Sequence, residues 1–160
     1  MNNLSAKEVE EKVIFVQKQW SNSIIEIGKA YKEKKNFLEL TNKFLDKLYF
    51  FDKGKVLFKP TKAFQKPFRK SKSEFISYFI GHNKVSDEDN GFALEPWKNI
   101  DFKNFDTLYL EKYFISMGNY FFTNYKNTTI KVEYTFGYIL NQDNNLKIIF
   151  HHSSVPYKTH

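Results

Sequence analysis

Apolar residues recur every three or four positions through the first third of the chain, a spacing typical of helices that pack on one side. The longest such stripe consists of Val9, Val13, Val16, Trp20, Ile24, Ile27 and Tyr31. Ser5, with Glu8 three residues later, fits a capping box, which predicts that a long helix begins there. A second helix is predicted over residues 36–48, whose apolar side consists of Phe37, Leu40, Phe44 and Leu48.

The middle of the chain passes through short elements. Residues 56–58 read as a short extended piece that Pro60 stops. A capping box beginning at Ser71 opens a short helix over 75–80. A polar loop is then predicted over 82–91.

The last third alternates apolar and polar residues, which indicates strands. The predicted strands are 97–102, 107–111, 113–123, 129–140 and 145–154. Hairpin turns at 124–127 and 142–145 join the last three. Helices followed by an antiparallel meander predict an α+β fold in one domain over 1–160. The economical arrangement is a curved antiparallel sheet wrapped around the long N-terminal helix, with a pocket between them.

The charge balance narrows the classes of partner. The 160 residues carry a net charge of +7, yet Arg69 is the only arginine and the lysines are interleaved with acidic residues. Nucleic-acid readers rely on arginine for forked contacts, so we expect no nucleic-acid partner. No stretch approaches about 18 apolar residues, so we expect no membrane span. Residues 1–7 do not resemble a signal peptide, and the compartment is unknown: cytoplasmic as written, periplasmic if a signal peptide was removed.

The end of the last predicted strand carries the most unusual local sequence, Phe150-His151-His152-Ser153-Ser154. Because neighbouring strand residues point to opposite faces, His151 shares one face with Ser153, and His152 shares the other with Ser154. Either pair can face the pocket, and the pattern leaves both registers open. The alternative is that the histidines only satisfy backbone groups at the strand end. The chain has no cysteine and no ligand-spaced motif, which disfavours a metal site.

Three further side chains have the chemistry of pocket residues. Thr61 follows a proline that fixes the backbone just past a strand, and Tyr78 combines an apolar body with a polar tip. Ordinary packing is the alternative for both. Glu133 lies on the opposite strand face from its apolar neighbours, and it is either a surface residue or a carboxylate that works in the pocket.

Seven strings follow one another along the chain: VLFKPTKA at 56–63, FR at 68–69, SYFIG at 77–81, GFALEPW at 91–97, SMGNYFFT at 116–123, KVEYTFGY at 131–138 and HHSSVPY at 151–157. Together they resemble the iota class of carbonic anhydrases, a family related to the calmodulin-kinase association domain and the nuclear-transport-factor-2-like superfamily. The resemblance covers about residues 20–157. It implies a cone-shaped α+β domain, usually a homodimer, that interconverts CO2 and bicarbonate.

In metal-free members of that family, a threonine, a tyrosine, and a histidine and serine of the HHSS motif line a bicarbonate pocket. The resemblance assigns these places to Thr61, Tyr78, His151 and Ser153, with the second residue of each doublet as the alternative register. It implies that no metal cofactor is needed. Phe150 stands where some members carry a third histidine, which further disfavours a metal. The hydroxyls are expected to hold the substrate oxygens, while His151 accepts the proton of an attacking water directly or through a hydroxyl.

Two other functions stay open at this point. The same cone can serve as a non-catalytic association or small-ligand-binding module, which needs no such set of polar residues. An isomerase of the ketosteroid type would need a carboxylate base in the pocket, and Glu133 is the one candidate in these strings.

Overall fold

The order of elements confirms the α+β prediction. The computed structural model describes residues 4–159, so the first three residues of the segment 1–7, which does not resemble a signal peptide, lie outside it. The helices are α1 (Ala6–Lys32), α2 (Phe37–Leu48) and α3 (Lys72–Ile80), with a 3-10 turn at Phe92–Leu94. The strands are β1 (Leu57–Lys59), β2 (Trp97–Leu110), β3 (Tyr113–Asn124), β4 (Thr129–Leu140) and β5 (Leu146–Ser154).

The helix ends follow the local signals in the sequence. Ser5 and Ser71 each accept a hydrogen bond from a backbone N–H of the first turn, and the glutamate three residues later closes a full capping box at both sites. Gly81 ends α3 with a left-handed φ of 64°, a conformation that glycine adopts without steric cost.

The five strands form one sheet in the order β1-β5-β4-β3-β2. β1 runs parallel to β5, and the other neighbours are antiparallel. Because side chains alternate between the two faces of the sheet along each strand, one face packs against the helices. The parallel pairing of β1 matters for function because it sets Phe58 beside His151 and so brings the end of β1 to the end of β5.

The prediction of two separate strands at 97–102 and 107–111 is wrong. β2 continues through the polar residues between them, with a bulge between Asn104 and Asp106. Opposite the bulge, a β-carbon at Gly118 would collide with the carbonyl oxygen of Lys103. Because Gly118 on β3 has no side chain, β2 and β3 stay paired at the bulge, where β2 loses its alternation of apolar and polar residues.

The core is built on aromatic rings around Trp20, which is 1% exposed. Rings from helices and sheet meet its indole, mostly edge to face: Phe44, Phe79, Phe102, Tyr120, Phe122, Phe136 and His151. The apolar stripe of α1 thus lies inside the curve of the sheet. Within the described residues, no helix is long and apolar enough to cross a membrane.

Candidate active site

The last strand turns one histidine and one serine into the interior. His151 and Ser153 are each 1% exposed, whereas His152 is exposed on the outer face of the sheet. The register follows from β4, whose inward-facing Phe136 and Tyr134 stand opposite His151 and Ser153. The structure thus selects one of the two registers that the sequence left open.

All four side chains predicted for the pocket line one small internal cavity. Aromatic rings complete its wall; the lining consists of Trp20, Phe58, Thr61, Tyr78, Phe79, Phe92, Tyr120, His151 and Ser153. The remaining space is about 10 Å³, which is at the lower limit for one water molecule. A larger cavity of about 380 Å³ lies next to it and shares Tyr78 and Phe92 with it.

Three polar side chains of the cavity, those of Tyr120, His151 and Ser153, are joined in one hydrogen-bonded cluster. The Nε2 atom of His151 lies 3.0 Å from Ser153 Oγ and 3.3 Å from the hydroxyl of Tyr120. Tyr120 and Ser153 are also hydrogen-bonded to each other. The hydroxyl of Tyr78 accepts a long hydrogen bond of 3.4 Å from the backbone N–H of Lys62. No buried side-chain oxygen or nitrogen within 4–159 is left without a partner.

The other ring nitrogen of His151 faces the core. Its Nδ1 atom lies 2.9 Å from the hydroxyl of Tyr49, which in turn accepts a 2.9 Å hydrogen bond from Nε1 of Trp20. Tyr49 and Trp20 are 0% and 1% exposed. The imidazole therefore has a partner at each nitrogen, one toward the core and one toward the cavity.

Burial keeps the ionisable groups of the cavity uncharged. It lowers the pKa of His151 well below its ordinary value, and the nearby His152 adds to that effect. It raises the pKa of Tyr78 and of Tyr120, although the hydroxyls of Ser153 and Thr61 act in the opposite direction on Tyr120. At neutral pH the cavity thus holds a neutral imidazole and intact hydroxyl groups, with no phenolate.

The segment that follows Thr61 is held by Glu88, an acidic residue of the loop after α3. The Glu88 carboxylate accepts hydrogen bonds of 2.7 to 3.0 Å from three successive backbone N–H groups, those of Phe64, Gln65 and Lys66. Desolvation opposes it, but these donors lower the pKa of Glu88 to about 2. The polar loop predicted over 82–91 is thereby tied to the segment behind Thr61.

The single arginine completes this attachment. Arg69 is 1% exposed and forms a forked ion pair with buried Asp89, with N–O distances of 2.7 and 2.9 Å. Ser77 of α3 donates to the same carboxylate. Arg69 is therefore part of the structural support of the pocket and is not exposed to a phosphate-bearing partner.

The residues of the two alternatives, the His152–Ser154 register and Glu133 as a base, lie on the outer face of the sheet. Glu133 is exposed there, so the hypothesis of a carboxylate base in the pocket is wrong for this residue. Together with His152 and Ser154, it borders a separate open depression of about 430 Å³. Among residues 4–159, no group of three or more histidine or carboxylate side chains is placed to hold a metal ion.

Two tyrosines of the site escaped the sequence analysis. Tyr120 lies on the inward face of β3, and period two places it beside Phe122 without distinguishing a functional hydroxyl from core packing. Tyr49 directly follows α2, and its approach to His151 depends on a contact 102 residues apart in the chain. Only the assembled fold makes either residue recognisable.

Comparison with known proteins agrees with the resemblance drawn from the sequence. The model of the metal-independent carbonic anhydrase family matches residues 11–155. A metal-independent carbonic anhydrase of Nostoc sp. is 34% identical over 152 residues, which cover 93% of this chain and 74% of that protein. These matches show the family, and the family's description also confirms the prediction that no metal cofactor is required.

Solved structures agree on the fold. The iota-carbonic anhydrase from a cyanobacterium, crystallised with bicarbonate, has a TM-score of 0.89 and 32% identity, covering 94% of this chain and 93% of that one. A putative calmodulin-dependent kinase II association domain from Xanthomonas campestris has a TM-score of 0.62 and 22% identity, covering 92% and 87%. The second likeness concerns the fold alone. A nuclear-transport-factor-2-like superfamily protein from Salmonella enterica, with a TM-score of 0.59 and 10% identity over 98% of this chain and 96% of that one, shares the fold and confirms the predicted cone. Family match, identity and fold together establish that this chain belongs to the metal-independent carbonic anhydrases.

Proposed function

We propose that this chain interconverts CO2 and bicarbonate in the cavity beside His151, without a metal ion. The observation that carries the proposal is the convergence of Thr61, Tyr78, His151 and Ser153 on one enclosed cavity in a member of this family. An association module would need no such buried polar cluster. The convergence therefore favours catalysis over a purely structural role.

The walls and the polar cluster of the cavity fit the two forms of the substrate. CO2 is small and uncharged, so aromatic walls receive it with little desolvation cost. Bicarbonate carries a negative charge, which the hydroxyls of Thr61, Tyr78 and Ser153 can stabilise as hydrogen-bond donors. Because the cavity measures about 10 Å³, these side chains must move apart as substrate enters from the adjoining larger cavity.

His151 is proposed to take part in handling the proton that the attacking water loses. The buried imidazole is neutral at neutral pH because its pKa is lowered. A neutral imidazole can accept a proton at its bare nitrogen or donate a hydrogen bond from the other. Nε2 faces the hydroxyl cluster, so His151 accepts a proton there if Nε2 is bare and donates a hydrogen bond there if Nε2 carries the hydrogen.

Stopped-flow measurement of CO2 hydration on chelated protein of assayed metal content tests this function. We expect activity to survive chelation and to fall by about 100-fold or more in His151→Ala. The same doublet offers the matched control, since His152→Ala changes the outward-facing neighbour. Loss of activity in both variants, or in neither, would contradict the assigned site. Activity that vanishes on chelation and returns with added metal would overturn the metal-free chemistry.

Thr61→Val gives a second measurement at the same site. The variant keeps the shape of the side chain but removes a hydroxyl that faces the cavity. Loss of one hydrogen bond to an anion weakens binding by about 10- to 100-fold. Bicarbonate binding measured by 13C line broadening should weaken by that factor, and unchanged binding would remove Thr61 from the substrate contacts.

We also propose that two copies pair through the outer face of the sheet, as the resemblance implies. Exposed apolar side chains are concentrated on the outward positions of β2 and β3: Phe105, Leu108, Leu110, Tyr113, Ile115 and Met117. Phe105 is 83% exposed at the bulge. An apolar patch of this kind on a soluble protein marks an interaction surface.

Light scattering coupled to size exclusion tests the pairing. The wild-type chain should have the mass of a dimer at micromolar concentration, and Ile115→Lys should have the mass of a monomer. Lys18→Glu, which reverses an exposed charge on α1 away from the sheet, is the control and should stay dimeric. A monomeric wild type would contradict the proposal.

A further inference from the structure

A buried chain of hydrogen bonds determines where His151 carries its proton. Nε1 of Trp20 can only donate, so the oxygen of Tyr49 is the acceptor in the 2.9 Å contact between them. The hydroxyl hydrogen of Tyr49 then needs an acceptor of its own. Within the described part of the chain, the remaining partner of that hydroxyl is Nδ1 of His151, at 2.9 Å.

The opposite arrangement leaves a buried donor without a partner. If Nδ1 carried the proton, Tyr49 would accept from both Trp20 and His151, and its own hydrogen would point into the core with no acceptor. A buried unsatisfied group of this kind disfavours a state by roughly 5- to 150-fold. Deprotonation of the phenol does not relieve the conflict, because burial raises the pKa of Tyr49.

We propose that Tyr49, oriented by Trp20, is a positioning residue that holds neutral His151 in the tautomer with its proton on Nε2. This inference rests on the proposed function of the cavity. The N–H group at Nε2 then faces Ser153 Oγ at 3.0 Å and the Tyr120 hydroxyl at 3.3 Å. Since His151 donates to the hydroxyl cluster and one hydroxyl of Ser153 and Tyr120 donates to the other, the remaining hydroxyl hydrogen is directed onward to the substrate.

The tautomer assigns His151 a different part from that of a base at Nε2. The oxygen of the attacking water forms a bond to the carbon of CO2 and gives one proton to Ser153 Oγ. Ser153 passes its own hydroxyl proton to an oxygen of CO2, which yields carbonic acid and leaves Ser153 unchanged. Carbonic acid then loses one proton to water in the adjoining cavity and becomes bicarbonate. The hydrogen bond from His151 to Ser153 makes the serine a stronger proton donor in this exchange.

Nitrogen NMR of 15N-labelled protein reads the tautomer directly, without any activity measurement. The His151 signals are assigned by their absence in His151→Gln. We expect a protonated Nε2 and a bare Nδ1 at pH 7.5. In Tyr49→Phe the two tautomers should become comparable, since Nδ1 loses its donor. Tyr138→Phe is the matched control: it removes a buried hydroxyl bonded to Ser116 at 3.1 Å and should leave the His151 signals in place.

The same experiment can overturn the inference in two ways. A proton on Nδ1 in the wild-type chain would refute the tautomer. An unchanged spectrum in Tyr49→Phe would show that Tyr49 does not determine it. Activity of Tyr49→Phe should fall only about twofold from the change in tautomer population, because half of the molecules keep the competent form.

Replacement of His151 by glutamine distinguishes a role as hydrogen-bond donor from a role as general base. The amide nitrogen of glutamine can donate toward Ser153 as Nε2 does, but an amide does not take up a proton near neutral pH. We expect His151→Gln to retain at least 10-fold more CO2 hydration activity than His151→Ala. Equal losses in both variants would refute the donor role. An inactive wild type would refute the proposed function, while the nitrogen spectrum would still decide the tautomer.

Discussion

Acidification should destabilise this protein before its carboxylates are protonated, because of His151. The imidazole is 1% exposed and burial lowers its pKa well below the ordinary value of about 6.5. As the pH falls below 6.5, the unfolded chain takes up a proton at this position and the folded chain does not. The unfolded state then binds more protons, so the free energy of unfolding falls with falling pH.

The size of this loss of stability follows from the one proton that the unfolded chain takes up at His151. Its limiting slope is a loss of about 1.4 kcal/mol per pH unit below pH 6.5, for as long as the folded imidazole stays unprotonated. Such a loss is a sizeable part of the ~5–15 kcal/mol typical of a folded domain. The window is separate from that of Glu74, whose pKa is lowered to about 2 and whose contribution is lost as the pH falls below about 4.5.

Urea unfolding at half-unit steps from pH 4.5 to pH 8 measures this slope. His151→Gln should flatten the curve between pH 6.5 and pH 4.5, since the amide does not titrate and can keep both hydrogen bonds. His152→Gln is the matched control; burial also lowers the pKa of that residue, but it is largely accessible to solvent, so the slope should change little. Equal slopes in the wild type and His151→Gln would refute the reasoning.

Three further outcomes are expected. Asp89→Asn leaves the buried Arg69 without its forked partner, with only the Glu88 carboxylate at 3.7 Å, so denaturant unfolding should show a loss of about 3–5 kcal/mol. Gly118→Ala drives a β-carbon into the Lys103 carbonyl, and thermal unfolding should show a loss of about 1–3 kcal/mol with little change in circular dichroism. Tyr120→Phe removes the hydroxyl beside the imidazole, and stopped-flow assays should show a loss of CO2 hydration of about 10-fold while the fold is retained.

The sequence predicts the elements whose causes are local. The stripe of α1 and the capping boxes at Ser5 and Ser71 depend on residues within one or two turns, and the structure reproduces both boxes. Period two along β4 likewise predicts its inward residues. The HHSS motif narrows the site to two registers, and only the pairing of β5 with β4 selects the one with His151 inside.

What the sequence does not predict depends on distant partners. The continuity of β2 rests on Gly118 in another strand, where no pattern within β2 could indicate it. Tyr49 is indistinguishable from a core tyrosine until α2 and β5 meet. The role of Arg69 depends on Asp89, which lies in a loop that reads as solvated from its composition alone.

The uncharged state of the cavity suits the proposed conversion of CO2 to bicarbonate. Neutral CO2 enters an aromatic cavity without displacing a counter-ion, and negative charge appears only as the reaction proceeds. Donors aimed at that charge therefore stabilise the transition state more than the bound substrate. His151 donates to the pair formed by Ser153 and Tyr120, and one of these two hydroxyls donates to the other. Bicarbonate must compete with these internal bonds, and their return favours release of the product.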